Sequence, residues 1–272
     1  MTRRAVRTDD ATTRDRAPST RRGDSGDSGG SGGSGGCGAA GVAGAVGGLD
    51  EGSGAAPIVL LTGFEPFEQQ EINASWAAVE AVAESWDQAA EGATLVTALL
   101  PVSFSRAPRR LAELLLDVRP SLVVAVGEAG GRSAVSVERV AVNVQDARIP
   151  DEDGAQPVDV PVIPGGDAAY FSTLPIKACL TALGDAGVPG EVSNTAGTFV
   201  CNTIAYALAD HLAAGHVPGA RGGFVHVPRL PEQVPHGAAS LGVEATAEGL
   251  RAVLRAALRT AEDVRLAAGT LA

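Results

Sequence analysis

Cys201 and His226 are the pair of side chains in this sequence whose chemistry and settings complement each other. Cys201 closes the run Gly197-Thr198-Phe199-Val200-Cys201 and precedes Asn202, where a buried strand should hand over to a helix. A thiol at a helix start meets amide hydrogens and the positive helix end, and both favour thiolate. His226 lies in the short apolar run Gly223-Phe224-Val225-His226-Val227-Pro228, at what reads as a strand end. In open α/β sheets active groups gather at such ends. A thiol with an imidazole within reach is the nucleophile and base of a cysteine hydrolase.

Such a base needs a third group to orient it. Glu138, Asp146, Asp151 and Asp153 are the acidic candidates. Glu138 is preferred because it interrupts an apolar, strand-like segment between Val137 and Arg139, where a carboxylate is costly unless paired. A structural ion pair with a loop arginine such as Arg148 is the plainer alternative. The other thiols and imidazoles fit less well. Cys179, in Ile176-Lys177-Ala178-Cys179-Leu180, reads as a small core residue, and Cys37 sits in a glycine-rich stretch. His211 and His216 fall within or just past the helix that follows Cys201, and His236 is in a proline-flanked loop.

The elements that must position these groups follow from hydrophobic pattern. Ile58 to Thr62 and Leu122 to Val126 are short apolar runs stopping at Gly63 and Gly127, as buried parallel strands do. Val96 to Leu100, residues 223–227 and the short Glu191-Val192-Ser193 are further strands. Val135 to Val144 alternates as a strand or hairpin passing from surface to core. Helices are expected from Asn73 or Ser75 onward, over 105–117, from Ile176 after Pro175, over 202–214 and over 240–261. The long Asp-, Pro- and Gly-rich stretch through 166 reads as an active-site or interface loop. Strands alternating with helices imply a central sheet covered on both faces.

Composition narrows the rest. Residues 1–56 lack apolar periodicity and are dominated by Gly, Ser, Asp and Arg, so they are expected to be a disordered tail. Residues 57–272 are then a single folded domain, large enough for one core. The tail holds seven arginines and seven acidic residues, so the net charge of −11 belongs to the domain. That charge argues against nucleic acid as partner. No apolar stretch reaches the roughly 20 residues that span a bilayer, and no signal-peptide core follows the early arginines. Three widely spaced cysteines form neither a disulfide framework nor a C-x-x-C motif, which fits a cytoplasmic protein.

Four segments carry a resemblance to a known family. They are Gly63-Phe64-Glu65-Pro66-Phe67; Gly127-Glu128-Ala129-Gly130-Gly131-Arg132 with Val137-Glu138-Arg139-Val140-Ala141-Val142-Asn143; Ser193 to Asn202; and Phe224-Val225-His226-Val227-Pro228 with Leu230-Pro231-Glu232-Gln233. In this order they resemble the pyroglutamyl peptidase I (pyrrolidone-carboxylate peptidase) family of cysteine peptidases. The resemblance covers most of residues 58–236. It implies a three-layer α/β/α sandwich with a mixed, largely parallel sheet, and Glu138, Cys201 and His226 as the triad. Phe64 and Phe67 are implied to line the pocket for the pyroglutamyl ring, Asn73 to lie near it, and Arg148 to lie near the cysteine. Glu128 stands where many members have glutamine, and a carboxylate there is expected to repel or reorient a substrate carbonyl.

The activity so implied is hydrolysis of the amide bond after an N-terminal pyroglutamyl residue, with peptides as substrates and no metal or organic cofactor. Family resemblance also implies a homo-oligomer, often a tetramer. Two rival functions remain in view. A nucleoside phosphorylase-like enzyme would share the fold and need a phosphate site. A non-catalytic ligand-binding domain would keep the cysteine in its core.

Overall fold

A computed structural model describes residues 56–269 of the chain. The expected tail therefore lies, except for Ala56, outside the described residues, as does Cys37. Six strands form the main sheet: β1 (Ile58–Phe64), β2 (Thr94–Leu100), β3 (Leu122–Glu128), β4 (Val135–Glu138), β7 (Gly190–Ser193) and β8 (Arg221–Val227). Their order is β2-β1-β3-β8-β4-β7. All neighbours run parallel except β4 and β8, which are antiparallel. The sequence placed one strand or hairpin over 135–144; the chain instead divides it. After β4, Arg139 leaves the sheet, and β5 (Val140–Val142) pairs with β6 (Ala169–Phe171) in a separate two-stranded ribbon.

Helices cover both faces, because every strand of the sheet interior is apolar on both sides. On one face lie α1 (Ala74–Ser85), α4 (Ile176–Asp185) and α6 (Val243–Arg259), closing on Val59, Leu61, Val124, Val126 and Val225. On the other lie α3 (Arg106–Val118) and α5 (Val200–Ala213), closing on Leu60, Val123, Ala125 and Phe224. Short α2 (Gln88–Glu91) joins α1 to β2. The three-layer expectation is met, and each fully buried Val or Leu in these layers contributes about 1.5–3 kcal/mol. Among the described residues no helix is long and apolar enough to cross a membrane.

Two details aim the chain at its active end. Asn73 caps α1, with its Oδ1 accepting from the Ser75 amide at 3.0 Å, so the choice left open between Asn73 and Ser75 falls to Asn73. The loop after β5 is not free either. The Asp146 amide donates to the Thr198 carbonyl, and the Thr198 hydroxyl donates back to the Asp146 carbonyl. Farther along, buried Asp151 accepts from the amides of Phe104, Asp153 and Ala155 at 2.8–2.9 Å. One carboxylate thus fixes the loop to the start of α3.

Asp151→Ala leaves those three amides without their acceptor. The variant is expected to lose about 2–3 kcal/mol of unfolding free energy, read as a lower urea midpoint. An unchanged midpoint would show that the loop is held by something else.

Candidate active site

The chain turns at Gly197, which sits at φ +78°, and enters α5 through Phe199 as N-cap. Nothing lies within 4 Å of where a Cβ on Gly197 would be, so glycine is needed there for the left-handed backbone rather than for space. Cys201 is therefore inside the first helical turn, where the amides of Val200, Cys201 and Asn202 have no carbonyl of the helix to bond. Asn202 is buried behind it and ties α5 to the ribbon. Its Oδ1 accepts from the Val142 amide, and its Nδ2 donates to the carbonyls of Val142 and Val144.

The close approach happens on β3. A Cβ on Gly127 would stand 2.8 Å from the Cys201 sulfur and 2.7 Å from Cζ of Phe224. The sulfur thus rests against bare backbone. Gly127 is the register partner of His226 on β8, and adjacent strands are about 4.8 Å apart. Thiol and imidazole are consequently neighbours across one strand spacing. Among the described residues no hydrogen bond joins them, and apo sites commonly show such catalytic contacts loose until substrate arrives.

His226 is buried, and its Nδ1 lies 2.8 Å from Oε1 of Glu138, itself only 2% exposed. With Nδ1 so committed, Nε2 is the ring nitrogen left for proton exchange. Glu138 does not pair with Arg148. Its guanidinium partner is Arg132, whose NH1 donates to the same Oε1 at 2.8 Å. Burial lowers the His226 pKa below the usual imidazole value, against the raising effect of the Glu138 hydrogen bond. Burial also pushes the Cys201 thiol up to about 12, with Glu138 adding to the rise and Arg132 opposing it. Desolvation thus works against the thiolate that the helix start favours, although Cys201 itself is only half-buried and borders the cavity.

In front of the thiol opens a cavity of about 370 Å³. Cys201, Phe64, Phe67, Asn73, Glu128 and Arg148 all border it, whereas His226 and Glu138 do not. Phe64 and Phe67 do not pair with each other. Phe64 packs against Phe224 at 6.5 Å, and Phe67 against Phe199 at 5.8 Å. Phe199 is a third aromatic wall, to which the sequence assigns no role. Its position directly before the nucleophile helix was the available signal. Asn73 spends its side chain on the frame, since Nδ2 donates to the Glu65 carbonyl while Oδ1 caps α1.

Glu128 also differs from expectation. Its Oε2 accepts from the Ala74 amide at 2.9 Å and from Gln233 Nε2 at 2.7 Å, and its Oε1 accepts from Arg229 Nε at 2.8 Å. The anion sits at the N-terminus of α1 and is paired with a cation, so its charge is answered by the protein rather than turned on a ligand. Arg229 had no role in the sequence reading. Nothing in its own surroundings in the sequence marks it, because its partner lies on another strand.

Two substitutions test this geometry. Gly127→Ala is expected to cost about 1–3 kcal/mol in stability and to lower turnover of a pyroglutamyl substrate about a hundredfold, because the sulfur is displaced. Parental turnover in a folded alanine variant would place the thiol elsewhere. Glu128→Gln should keep turnover within about fivefold, since an amide oxygen in the place of Oε2 still accepts from Ala74 and Gln233 and only the Arg229 contact is given up. A collapse of turnover would mean that the charge itself is required.

Comparison with known proteins completes the site. Residues 58–260 match the family model described as pyroglutamyl peptidase. A pyrrolidone-carboxylate peptidase of Streptomyces coelicolor is 51% identical over 214 residues, 78% of this chain and 97% of the relative. Pyrrolidone-carboxylate peptidase 1 of Ralstonia nicotianae is 50% identical over 217 residues, 79% of this chain and 99% of the relative. Among solved structures, pyroglutamyl peptidase I of Bacillus amyloliquefaciens aligns with TM-score 0.74 at 38% identity, covering 78% of this chain and all of that one. A mutant pyrrolidone carboxyl peptidase of Pyrococcus furiosus aligns with TM-score 0.69 at 37% identity, covering 74% of this chain and 98% of that one. With the match spanning most of the sequence and every segment named above inside it, the chain belongs to the pyroglutamyl peptidase family.

Proposed function

We propose that this protein is a cysteine exopeptidase that hydrolyses the amide bond after an N-terminal pyroglutamyl residue of peptides. The observation that supports the mechanism is the His226–Glu138 contact beside Gly127, against which the sulfur of the cavity-lining Cys201 rests. A nucleoside phosphorylase-like activity is not favoured, since the relatives sharing half of the sequence are peptidases by name. Nor is a non-catalytic binding domain, because a buried imidazole–carboxylate pair beside the thiol serves no ligand in the cavity.

His226, neutral at rest, accepts the Sγ proton on Nε2, and the sulfur attacks the pyroglutamyl carbonyl. The free amides of the first turn of α5 receive the oxyanion. The imidazolium formed is balanced by Glu138, then gives its proton to the leaving amine. Water, deprotonated by the same imidazole, hydrolyses the thioester and restores the thiol. The aromatic walls Phe64, Phe67 and Phe199 suit a flat lactam without charge. A charged amino terminus would lose hydration there without a counter-ion. Asn73 and Glu128 act on the substrate through the frame they hold, and Arg148 borders the cavity on the opposite loop.

Residues 57–272 form one catalytic domain in this proposal, with 1–56 a dispensable tail. Cytoplasmic residence is supported by Cys179 and Cys201 both being free thiols. A homo-oligomer, as a tetramer, is the assembly that the family resemblance favours.

Pyroglutamyl-p-nitroanilide should be cleaved and alanyl-p-nitroanilide left intact, while Cys201→Ala folds and is inactive. Failure of the well-folded protein on the first substrate would remove the proposed activity. The pH profile carries a sign. The base must be unprotonated, and burial lowers the His226 pKa from 6.5. The acid limb of kcat/KM should therefore fall below pH 6.5, and a limb centred above 7 would exclude His226 as the resting neutral base.

A further inference from the structure

Arg132 is joined to both halves of the reacting set without bordering the cavity. It follows the turn at Gly131, which sits at φ +85° beyond the end of β3. Its NH1 donates to Glu138 Oε1 at 2.8 Å, the oxygen that also meets His226 Nδ1. Its NH2 donates to the Thr195 carbonyl at 3.3 Å, in the loop that leads into α5 and Cys201. Glu138 Oε2 is buried with no hydrogen-bond partner among the described residues, so Oε1 carries all of the carboxylate's contacts.

A carboxylate buried to that degree requires a cation nearby, or the electrostatic cost of leaving water is uncompensated. His226 is a cation only when protonated, whereas a guanidinium is charged throughout the working pH range. Arg132 is the charged side chain in contact with Glu138. Other ionisable groups around the imidazole are differently engaged. Glu191 on β7 accepts from the hydroxyl of Ser136, the register partner of His226. Glu128 on β3 is bound by Arg229, Tyr170 on β6 donates to Asp210, and Arg139 donates to Asn194. Cys201 approaches from α5.

We propose that Arg132 is a positioning residue of the reaction, balancing Glu138 and strapping the Glu138–His226 pair to the loop that delivers Cys201. It acts through Glu138 and touches no reacting atom. While its charge is present, the imidazole does not need to be protonated at rest to balance the carboxylate. Removing that charge leaves His226 facing a buried anion, and the ring then holds a proton to higher pH.

This inference rests on the reading of Cys201, His226 and Glu138 as the reacting set, so its test has a readout that needs no peptide substrate. The rate of Cys201 modification by iodoacetamide would be followed against pH in the parent, Arg132→Gln and Arg132→Lys, beside pyroglutamyl-p-nitroanilide turnover and a melting curve for each. In Arg132→Gln the acid limb of both profiles should move upward by about one pH unit, and kcat should fall at least about tenfold with KM nearly unchanged. Arg132→Lys keeps the charge but not the forked donor, so its limb should stay near the parent's while kcat recovers only in part. Should Arg132→Gln fail to fold, the proposal stands or falls on the lysine variant, which must then keep the parental limb with lowered kcat. Parental rates and limb in Arg132→Gln would overturn the proposal. So would equal losses in both variants with unmoved profiles, which would make Arg132 a structural strap alone. No turnover by the parent, with the thiol profiles behaving as described, would overturn the substrate and leave Arg132 in its role.

Discussion

The sulfur of Cys201 rests on a strand that carries no side chain at that point, and the site depends on this seat. Any Cβ on Gly127 would lie within 3 Å of both the sulfur and the Phe224 ring. Because Gly127 is paired in register with His226, whatever holds the sulfur over it also sets the distance to the imidazole. Helix α5 supplies the hold. It is anchored by Asn202 to the β5–β6 ribbon and by Thr198 to Asp146, so the nucleophile's height above the sheet is fixed from two sides. Proximity of this kind is worth more than any single contact, since small misplacements cost orders of magnitude in rate.

The same seat bears on the protonation of the pair. The pKa of a half-buried thiol against the sheet is pushed up by desolvation, although the thiol lies in a helix's first turn. Burial lowers the imidazole's instead. Two neutral partners cost less to bury than a thiolate–imidazolium pair. Charge then appears only as the proton moves, where the first-turn amides and Glu138 are already in place to meet it. A cavity walled by Phe64, Phe67 and Phe199 is compatible with such an uncharged resting state, and a flat, uncharged lactam is the kind of group that fits it.

Much of this was legible in the sequence, and the gaps have physical causes. Strands such as Leu122–Glu128 announce themselves because both faces are buried, which forces an unbroken apolar run. Cys201 and His226 stand out as a candidate pair because thiols and imidazoles are few and both lie at element ends. Glu138 stands out because a carboxylate in an apolar strand demands a partner. Glu138 meets His226 as preferred, and the arginine beside it is Arg132 rather than the Arg148 of the plainer alternative, since pairing depends on where the turn at Gly131 sends the chain. Glu128 was expected to trouble a substrate for a similar reason. Its three donors, Ala74, Arg229 and Gln233, come from segments far away in sequence.

The reversal of β4 in an otherwise mostly parallel sheet has a consequence for the triad. In the antiparallel ladder Ser136 stands opposite His226 and Val137 opposite Val225, which brings Glu138 to the level of Phe224. Glu138 and His226 are thus diagonal neighbours on one face, a separation of roughly 7–8 Å between backbones that a glutamate side chain spans. An aspartate would be one methylene short of the ring. The strand then ends at once, Arg139 turns away, and β5 begins a second ribbon that braces α5. One strand reversal and one early exit therefore place Glu138 beside His226 and return the chain to brace the helix that carries Cys201.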